Sequence, residues 1–228
     1  MKPDARNTRC VHQITIFSSK LQHKSRIRIN LILLPHLGSH KMASSNLRFR
    51  PATAEDAGQI QQLVESAFRA VDSRPDWTGN AELASTFRIS VEEVMPRIVK
   101  PENAVLMALD DTDTLVASIE VAKRGTDCGR LSMIAVNERY QQGGVGRLVL
   151  AYAEAYCRQT WNVEKFSLNA LSTRKTLIEW YMRQGYQKTG ETTLFPRERF
   201  TSVTLPDDIC FIEMEKELSS TGEKGQSA

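Results

Sequence analysis

Histidine is absent from most of this sequence, because all four histidines lie within the first 40 residues. They are His12, His23, His36 and His40. Histidine is the side chain that most readily takes up and releases a proton near neutral pH, and it is the commonest metal ligand. Residues 41–228 therefore offer no histidine for catalysis or for a metal site.

Cysteine pairs and long apolar runs are also missing. The four cysteines, Cys10, Cys128, Cys157 and Cys210, form no CxxC pair and have no metal-ligand spacing. This excludes a disulfide scaffold and a zinc module, so we expect reduced thiols and no metal. No apolar run approaches the roughly 18 residues that a membrane span requires, and the sequence predicts no association with a membrane.

Acidic residues are nearly absent from residues 1–41, which contain eight Lys or Arg and one Asp. That segment carries a charge of +7, and since the whole chain carries +3, residues 42–228 carry −4. A nucleic-acid-binding protein bears its basic patch on the folded domain. The charge distribution therefore argues against a nucleic-acid partner.

The basic, serine-containing segment 1–41 has the composition of a mitochondrial transit peptide. Two alternatives stay open: a disordered extension, or upstream sequence misread as coding, since MASSNLRFRP from Met42 looks like a natural start. We expect this extension to be disordered and the protein to be cytoplasmic, or mitochondrial if residues 1–41 are a transit peptide.

Strand and helix patterns alternate through residues 42–218, which we predict to form one domain. The strand patterns lie at residues 46–50, 103–110, 114–124, 130–136, 166–171, 186–194 and 209–218. The helix patterns begin at Thr53, at about Ala81 (with a cap at Ser90 and a limit at Pro96), after the glycines at 143–146, and at Thr173. This order predicts an α+β fold, an α/β sandwich whose mixed, mainly antiparallel sheet of about six or seven strands carries helices on both faces. Residues 219–228 are polar and predicted to be disordered.

The segment QQGGVG, residues 141–146, joins a strand to a helix. Backbone N–H groups at a helix start lack internal partners, and glycine lets an anion approach them closely. A P-loop would require Lys and Ser or Thr after the last glycine, but Arg147 and Leu148 follow. A dinucleotide fingerprint would require an acidic residue at the end of the next strand, whereas Glu164 lies at its start. A phosphate site of another kind and a structural turn both remain open at this point.

Two longer segments carry a family resemblance. LSMIAVNERYQQGGVGRLVLAYAE resembles motif A of the GNAT superfamily of acyl-CoA-dependent N-acetyltransferases, in which [QR]-x-x-G-x-[GA] follows an apolar strand. LIEWYMRQGYQKTGE resembles the next motif of that superfamily. The resemblance covers about residues 47–218. It implies transfer of the acetyl group of acetyl-CoA to a primary amine by direct attack in a ternary complex, without a covalent enzyme intermediate.

The same resemblance implies a binding site for coenzyme A. The strand before the glycines would pair with the pantetheine arm, and the loop amides would hold the pyrophosphate. The implied residues are Met133, Ile134, Ala135, Val136, Gln141, Gln142, Gly143, Gly144, Val145, Gly146 and Arg147. Arg174 stands where many members carry an asparagine that contacts the cofactor, so a cofactor contact and a solvated helix start are both open for it.

For catalysis, Tyr181 matches the tyrosine that often protonates the departing CoA thiolate. Its alternative role is to pack beside Trp180. Some members carry a glutamate base on the strand before the glycines, but RLSMIAV has none. Glu120 on the preceding strand is the candidate base, and a water relay to bulk solvent is the alternative.

The superfamily usually recognises its acceptor with the first two helices and the last hairpin, here residues 73–93 and 195–208. Within the first range, Trp77 could be a platform, with Asp76 and Glu82 as partners for a cation, or it could simply pack within its loop. We expect a small-molecule primary amine as acceptor and a monomer or homodimer. A protein or peptide acceptor, and a catalytically inactive acyl-CoA-binding sensor, are the alternatives.

Overall fold

The computed structural model describes residues 47–70 and 72–218. The predictions made for residues 1–41 and 219–228 lie outside the described residues. Within the described ranges, no helix combines the length and the apolar character needed to cross a membrane.

Seven strands form one sheet in the order β1-β2-β3-β4-β5-β7-β6. They are β1 (Arg48–Pro51), β2 (Asn103–Leu109), β3 (Leu115–Arg124), β4 (Cys128–Val136), β5 (Lys165–Leu171), β6 (Gln187–Leu194) and β7 (Cys210–Glu217). Neighbouring strands are antiparallel except β4 and β5, which are parallel. The predicted mixed, mainly antiparallel sheet is confirmed.

Five α-helices cover the two faces of this sheet within the described residues. They are α1 (Ala57–Arg69), α2 (Ala81–Thr86), α3 (Val91–Val99), α4 (Val145–Trp161) and α5 (Lys175–Arg183). The helices α1 and α3 pack on one face and α4 and α5 on the other, each through a stripe of buried apolar side chains. Burying one such side chain contributes about 1.5–3 kcal/mol, so the apolar periodicity of these helices fixes which side faces the sheet.

The helical region predicted from Ala81 is in fact two helices. The second begins at the predicted cap, where Ser90 Oγ accepts the N–H of Glu93 at 3.3 Å and the Glu93 carboxylate accepts the N–H of Ser90 at 2.8 Å. The predicted limit at Pro96 is wrong, because α3 continues to Val99. Proline removes only one backbone donor there, and the buried Val94 holds the short helix against the sheet.

A partly buried ion pair secures the chain between β1 and α1. Both guanidinium nitrogens of Arg50 donate to the Asp56 carboxylate, at 2.7 and 2.8 Å, and the N–H of Thr53 donates to it at 2.7 Å. The side chain of Asp56 is almost fully buried. The Arg50 guanidinium holds the pKa of Asp56 well below its usual range.

The sheet opens at its centre. The strands β4 and β5 pair only over residues 128–130 and 165–167, although each continues for several residues beyond. The register between β3 and β4 also shifts between Ser118 and Glu120, and Met133 has a φ of 48°. An irregularity of this kind is a β-bulge, which bends its strand. The far half of β4 consequently has no partner strand on the β5 side.

Candidate active site

A cavity of about 940 Å³ lies at this gap. Its volume falls near the upper end of the range of about 300–1,000 Å³ typical of ligand sites. Met133, Ile134 and Val136 line it from β4, and residues 168–171 line it from β5. Because β4 lacks a neighbour here, its backbone N–H and C=O groups on that side can bond to a ligand that lies along the strand.

The glycine loop forms one end of the cavity, where Gln141, Gln142, Gly144, Gly146 and Arg147 line it. Gly144 directly precedes α4. Its φ of 79° is a left-handed backbone conformation, which favours glycine. Within residues 47–70 and 72–218, the amide N–H groups of residues 142–146 have no hydrogen-bond acceptor. These donors and the positive end of the α4 dipole could hold an anion.

Two side-chain contacts position the glycine loop. The Tyr140 hydroxyl donates to Asp110 Oδ2 at 2.8 Å, and Gln141 Nε2 donates to the carbonyl of Val136 at 3.3 Å. Hydrogen bonds from Thr112 and Tyr140 lower the pKa of Asp110 to about 2, so this acceptor stays ionised at neutral pH. The loop is therefore tied to the end of β2 and to the end of β4.

Tyr181 lines the cavity from α5 and is only 6% exposed. Its ring packs edge-on against Trp180 and Tyr186, with centroids 5.1 and 6.1 Å away. Burial raises the pKa of Tyr181 to about 12, and the nearby Arg174 charge acts in the opposite direction. The phenol is therefore protonated at neutral pH. The residue packs beside Trp180 and also faces the cavity, so the two roles predicted for it are compatible.

Arg174 precedes α5 and lines the same cavity. Its Nε donates to the carbonyl of Trp77 at 2.7 Å, and burial lowers its pKa. The residue is only partly exposed, so the interpretation as a solvated helix start does not describe it. Its position against the segment around Trp77 was not predictable from the sequence.

The candidate base Glu120 does not line the cavity. Its carboxylate accepts hydrogen bonds from Arg97 Nη1 at 2.7 Å and from Ser132 Oγ at 2.9 Å. The side chain is buried on the face of the sheet that α1 and α3 cover, opposite Val105 of β2. The prediction that Glu120 is the base does not fit this arrangement.

Several other predicted residues lie beside the cavity without lining it. They are Ala135, Gly143, Val145, Asp76 and Glu82. The side chain of Ala135 packs with the α1 and α3 cluster, and that of Val145 packs in the cluster on the opposite face. Asp76 and Glu82 are exposed, so neither carboxylate serves as a partner for a cation inside the cavity.

The structure adds lining residues that the sequence did not single out. The aromatic ones are Trp180, Phe68, Phe87, Phe195, Phe200 and Phe211, and the cationic ones are Arg74 and Arg199. Most fall within or beside the ranges 73–93 and 195–208 that were expected to recognise the acceptor. Aromatic residues in irregular segments show no periodicity, so nothing in the sequence distinguished those that face the cavity.

Comparisons with known proteins agree with this architecture. The model of the acetyltransferase (GNAT) family matches residues 66–186. Among curated protein sequences, nothing matches the chain.

Three similar solved structures illustrate the likeness. A chimera of the spermidine N-acetyltransferase SpeG from Vibrio cholerae and hSSAT is 14% identical, with a TM-score of 0.55 over 76% of this chain and 96% of that one. A putative acetyltransferase of the GNAT family from Desulfovibrio desulfuricans is 19% identical, with a TM-score of 0.55 over 75% and 98%. An acetyltransferase of the GNAT family from Staphylococcus aureus Mu50 is 12% identical, with a TM-score of 0.51 over 75% and 99%. At these identities the likeness shows the fold alone, and it confirms the predicted fold class.

Proposed function

Because this chain belongs to the acetyltransferase (GNAT) family, whose model spans more than half of it, we propose that it transfers the acetyl group of acetyl-CoA to a primary amine of a small molecule. One observation carries the proposal. A single cavity combines the unpaired amides of residues 142–146 with the protonated hydroxyl of Tyr181. The first feature suits a pyrophosphate and the second suits a departing thiolate.

The residues around the glycine loop fit coenzyme A as a co-substrate. Each hydrogen bond from an amide to a charged oxygen contributes about 1.5–3 kcal/mol, so several together outweigh the helix dipole. Arg147 adds a positive charge at the rim of the same loop. Residues 133–136 would pair their backbone with the pantetheine arm along the unpaired side of β4. When bound, acetyl-CoA supplies a thioester carbonyl that an amine can attack.

Tyr181 is the proposed general acid. A thiol has a pKa near 8.5, whereas burial holds that of Tyr181 at about 12. The neutral phenol can therefore donate a hydrogen bond to the sulfur as negative charge develops on it. The proposed role depends on the hydroxyl and not on the ring.

The proton of the attacking amine needs another route. In the described part of the chain, Asp72 is the only carboxylate that lines the cavity. A side-chain hydrogen bond from Arg74 lowers the pKa of Asp72 and weakens it as a base.

We therefore assign proton removal to water in contact with bulk solvent, which was the alternative to Glu120. The Arg174 guanidinium, which lines the same cavity, would assist this step by disfavouring the ammonium form of the acceptor.

A small-molecule acceptor is favoured over a peptide by the segments that cover the cavity. Asn80 Nδ2 donates to the carbonyl of Thr204 at 3.2 Å, which links the segment before α2 to the segment between β6 and β7. Leu83, Phe195 and Ile209 form a small apolar cluster between the same segments. A bridged cavity admits a small amine more readily than an extended chain.

An amine screen tests the proposal. Purified protein is mixed with acetyl-CoA and one amine at a time, and released CoA is detected through its thiol. Acetyl-CoA binding is measured separately by calorimetry, and a reaction without amine controls for hydrolysis. We expect binding and amine-dependent release. Binding without release for any amine would instead favour the acyl-CoA-binding sensor.

A further inference from the structure

We propose that the acceptor is an amine that also carries a carboxylate and an apolar, preferably aromatic, body, as a free aromatic amino acid does. This inference rests on the proposed acetyl transfer and names the substrate class. It distinguishes this cavity from one built for a polyamine. The charges and the apolar surfaces of the lining residues carry it.

The lining of the cavity has an excess of positive charge. Four arginines line it, whereas Asp72 is the single acidic residue that the described part of the chain contributes to the lining. Asp72 forms a salt bridge with Arg74. The other three arginines, Arg147, Arg174 and Arg199, have no carboxylate partner among residues 47–70 and 72–218. Arg147 belongs to the glycine loop, and Arg174 stands at a position expected to contact the cofactor. Arg199 is therefore the arginine left for the acceptor, with Arg174 beside it in the cavity lining.

These unpaired arginines favour an anionic group on the acceptor. Burial of the Arg174 charge is costly unless an opposite charge compensates it, and it lowers the pKa of Arg174. Arg199 is exposed, and it would lose water only when an acceptor covers it. A carboxylate can accept two parallel hydrogen bonds from one guanidinium. A polyamine would instead bring several positive charges next to Arg174 and Arg199, and like charges repel.

Aromatic side chains form the apolar part of the same region. Phe68 and Phe87 stack with centroids 4.7 Å apart. Phe195 lies 5.1 Å from Phe200 and 5.7 Å from Phe211 between centroids. All five line the cavity. Such a surface accommodates an aromatic or branched apolar body.

Positive charge in the cavity can also promote deprotonation of the acceptor, for which the lining offers no strong base. A neighbouring cation disfavours the ammonium form and lowers the pKa of a bound amine. Arg174 would thus help the acceptor to lose its proton to water, while Arg199 holds its carboxylate.

We assign the carboxylate contact to Arg199. It is exposed and lies on the same segment as Phe195 and Phe200. Arg174 is already committed to the carbonyl of Trp77 through its Nε, so its remaining nitrogens play the secondary part. The carboxylate would then approach from the side of the segment between β6 and β7.

The test compares amines that differ only by the carboxylate. The pairs are L-phenylalanine with phenethylamine and L-leucine with 3-methylbutylamine, and spermidine represents polyamines. We measure kcat/KM by CoA release, and we measure binding of L-phenylalanine in the presence of CoA by calorimetry. We expect each amino acid to exceed its decarboxylated partner by about tenfold or more, with spermidine lowest.

The variant Arg199→Gln should lower kcat/KM and binding for L-phenylalanine about tenfold and leave phenethylamine within about twofold of the wild-type value. Arg158→Gln is the matched control, because Arg158 is exposed on α4 and does not line the cavity. A loss that is equal for both amines in Arg199→Gln would overturn the assignment of Arg199.

The remaining outcomes separate this inference from the function on which it rests. Efficient transfer to spermidine, or equal transfer to both members of each pair, would overturn the inference and leave amine acetylation intact. Binding of acetyl-CoA with no release for any amine would overturn the proposed function and this inference with it.

Discussion

Replacing Tyr181 by phenylalanine removes one oxygen atom from the cavity and leaves the packing of α5 intact. The hydroxyl forms no hydrogen bond with any described residue, and the ring contacts with Trp180 and Tyr186 do not depend on it. We therefore expect the Tm of Tyr181→Phe to stay within about 2 °C of the wild-type value.

The effect on catalysis follows from the bond that the hydroxyl would make to the departing sulfur. A hydrogen bond to a charged group contributes about 1.5–3 kcal/mol, and each 1.4 kcal/mol changes a rate about tenfold. The kcat of Tyr181→Phe should thus fall about 10- to 150-fold. The Kd of acetyl-CoA should change little, because the negative charge on sulfur develops only in the transition state.

The pH dependence gives a second measurement on the wild-type protein. An acid must be protonated to act, and burial raises the pKa of Tyr181 from 10 to about 12. Its protonated fraction is therefore nearly constant between pH 7 and pH 10. The kcat of the wild-type protein should show no falling limb from this group over that interval.

The matched control is Tyr156→Phe. Tyr156 lies on α4, packs edge-on against Trp161 and does not line the cavity, so this variant should retain the wild-type kcat. A kcat for Tyr181→Phe within about twofold of wild type, with unchanged binding of acetyl-CoA, would refute the acid role.

Three further predictions concern the loop, stability and thiol reactivity. Gly144→Glu should weaken acetyl-CoA binding, measured by calorimetry, by about 100-fold or more. The control Gly190→Glu, at a similar φ of 88° and with equally open space around it, should bind acetyl-CoA normally. Equal binding by both variants would refute the proposal that the glycine loop holds the pyrophosphate. Asp56→Asn should lower the free energy of unfolding by about 1–3 kcal/mol at pH 7, and the difference in denaturant melts should shrink as the pH falls below 4, because the pKa of Asp56 is depressed in the folded state. Burial raises the pKa of Cys157 to about 12, so mass spectrometry of the alkylated native protein should find Cys157 modified far more slowly than the partly exposed Cys210.

The order of the elements was predictable because periodicity reports burial directly. The apolar stripe of α4 and the mainly apolar runs of β2 and β3 both follow from which side chains leave water. The end of α3 was not predictable, since Pro96 is an ordinary stop signal and the tertiary packing of Val94 overrides it. By contrast, the capping residues Ser90 and Glu93 were a local signal that a second helix begins there.

The location of Glu120 shows why the site was harder to predict than the fold. Alternation along β3 correctly separates Glu120 from Ile119 and Val121, but it does not say which face of the sheet adjoins a cavity. The structure places Glu120 among the residues covered by α1 and α3, where Arg97 neutralises it. Three non-local partners, Arg97, Asn103 and Ser132, thus decide the environment of this carboxylate.

The cavity depends on an irregularity of β4 that the sequence does not indicate. RLSMIAV has the composition of a regular strand, yet Met133 adopts a positive φ and β4 separates from β5 after three paired residues. A positive φ is strained for a side chain such as that of methionine. The surrounding sheet must therefore impose it, since glycine would have been the unstrained choice.

That strain has a structural consequence at the site. If β4 continued to pair with β5, its backbone N–H and C=O groups would form hydrogen bonds within the sheet. The space between Val136 and Leu171 would then close. The bulge instead leaves these groups free directly in front of the glycine loop. The motif residues and the gap would therefore serve one ligand: the loop amides could hold its anionic end, and the unpaired side of β4 could bond to the part that lies along the strand.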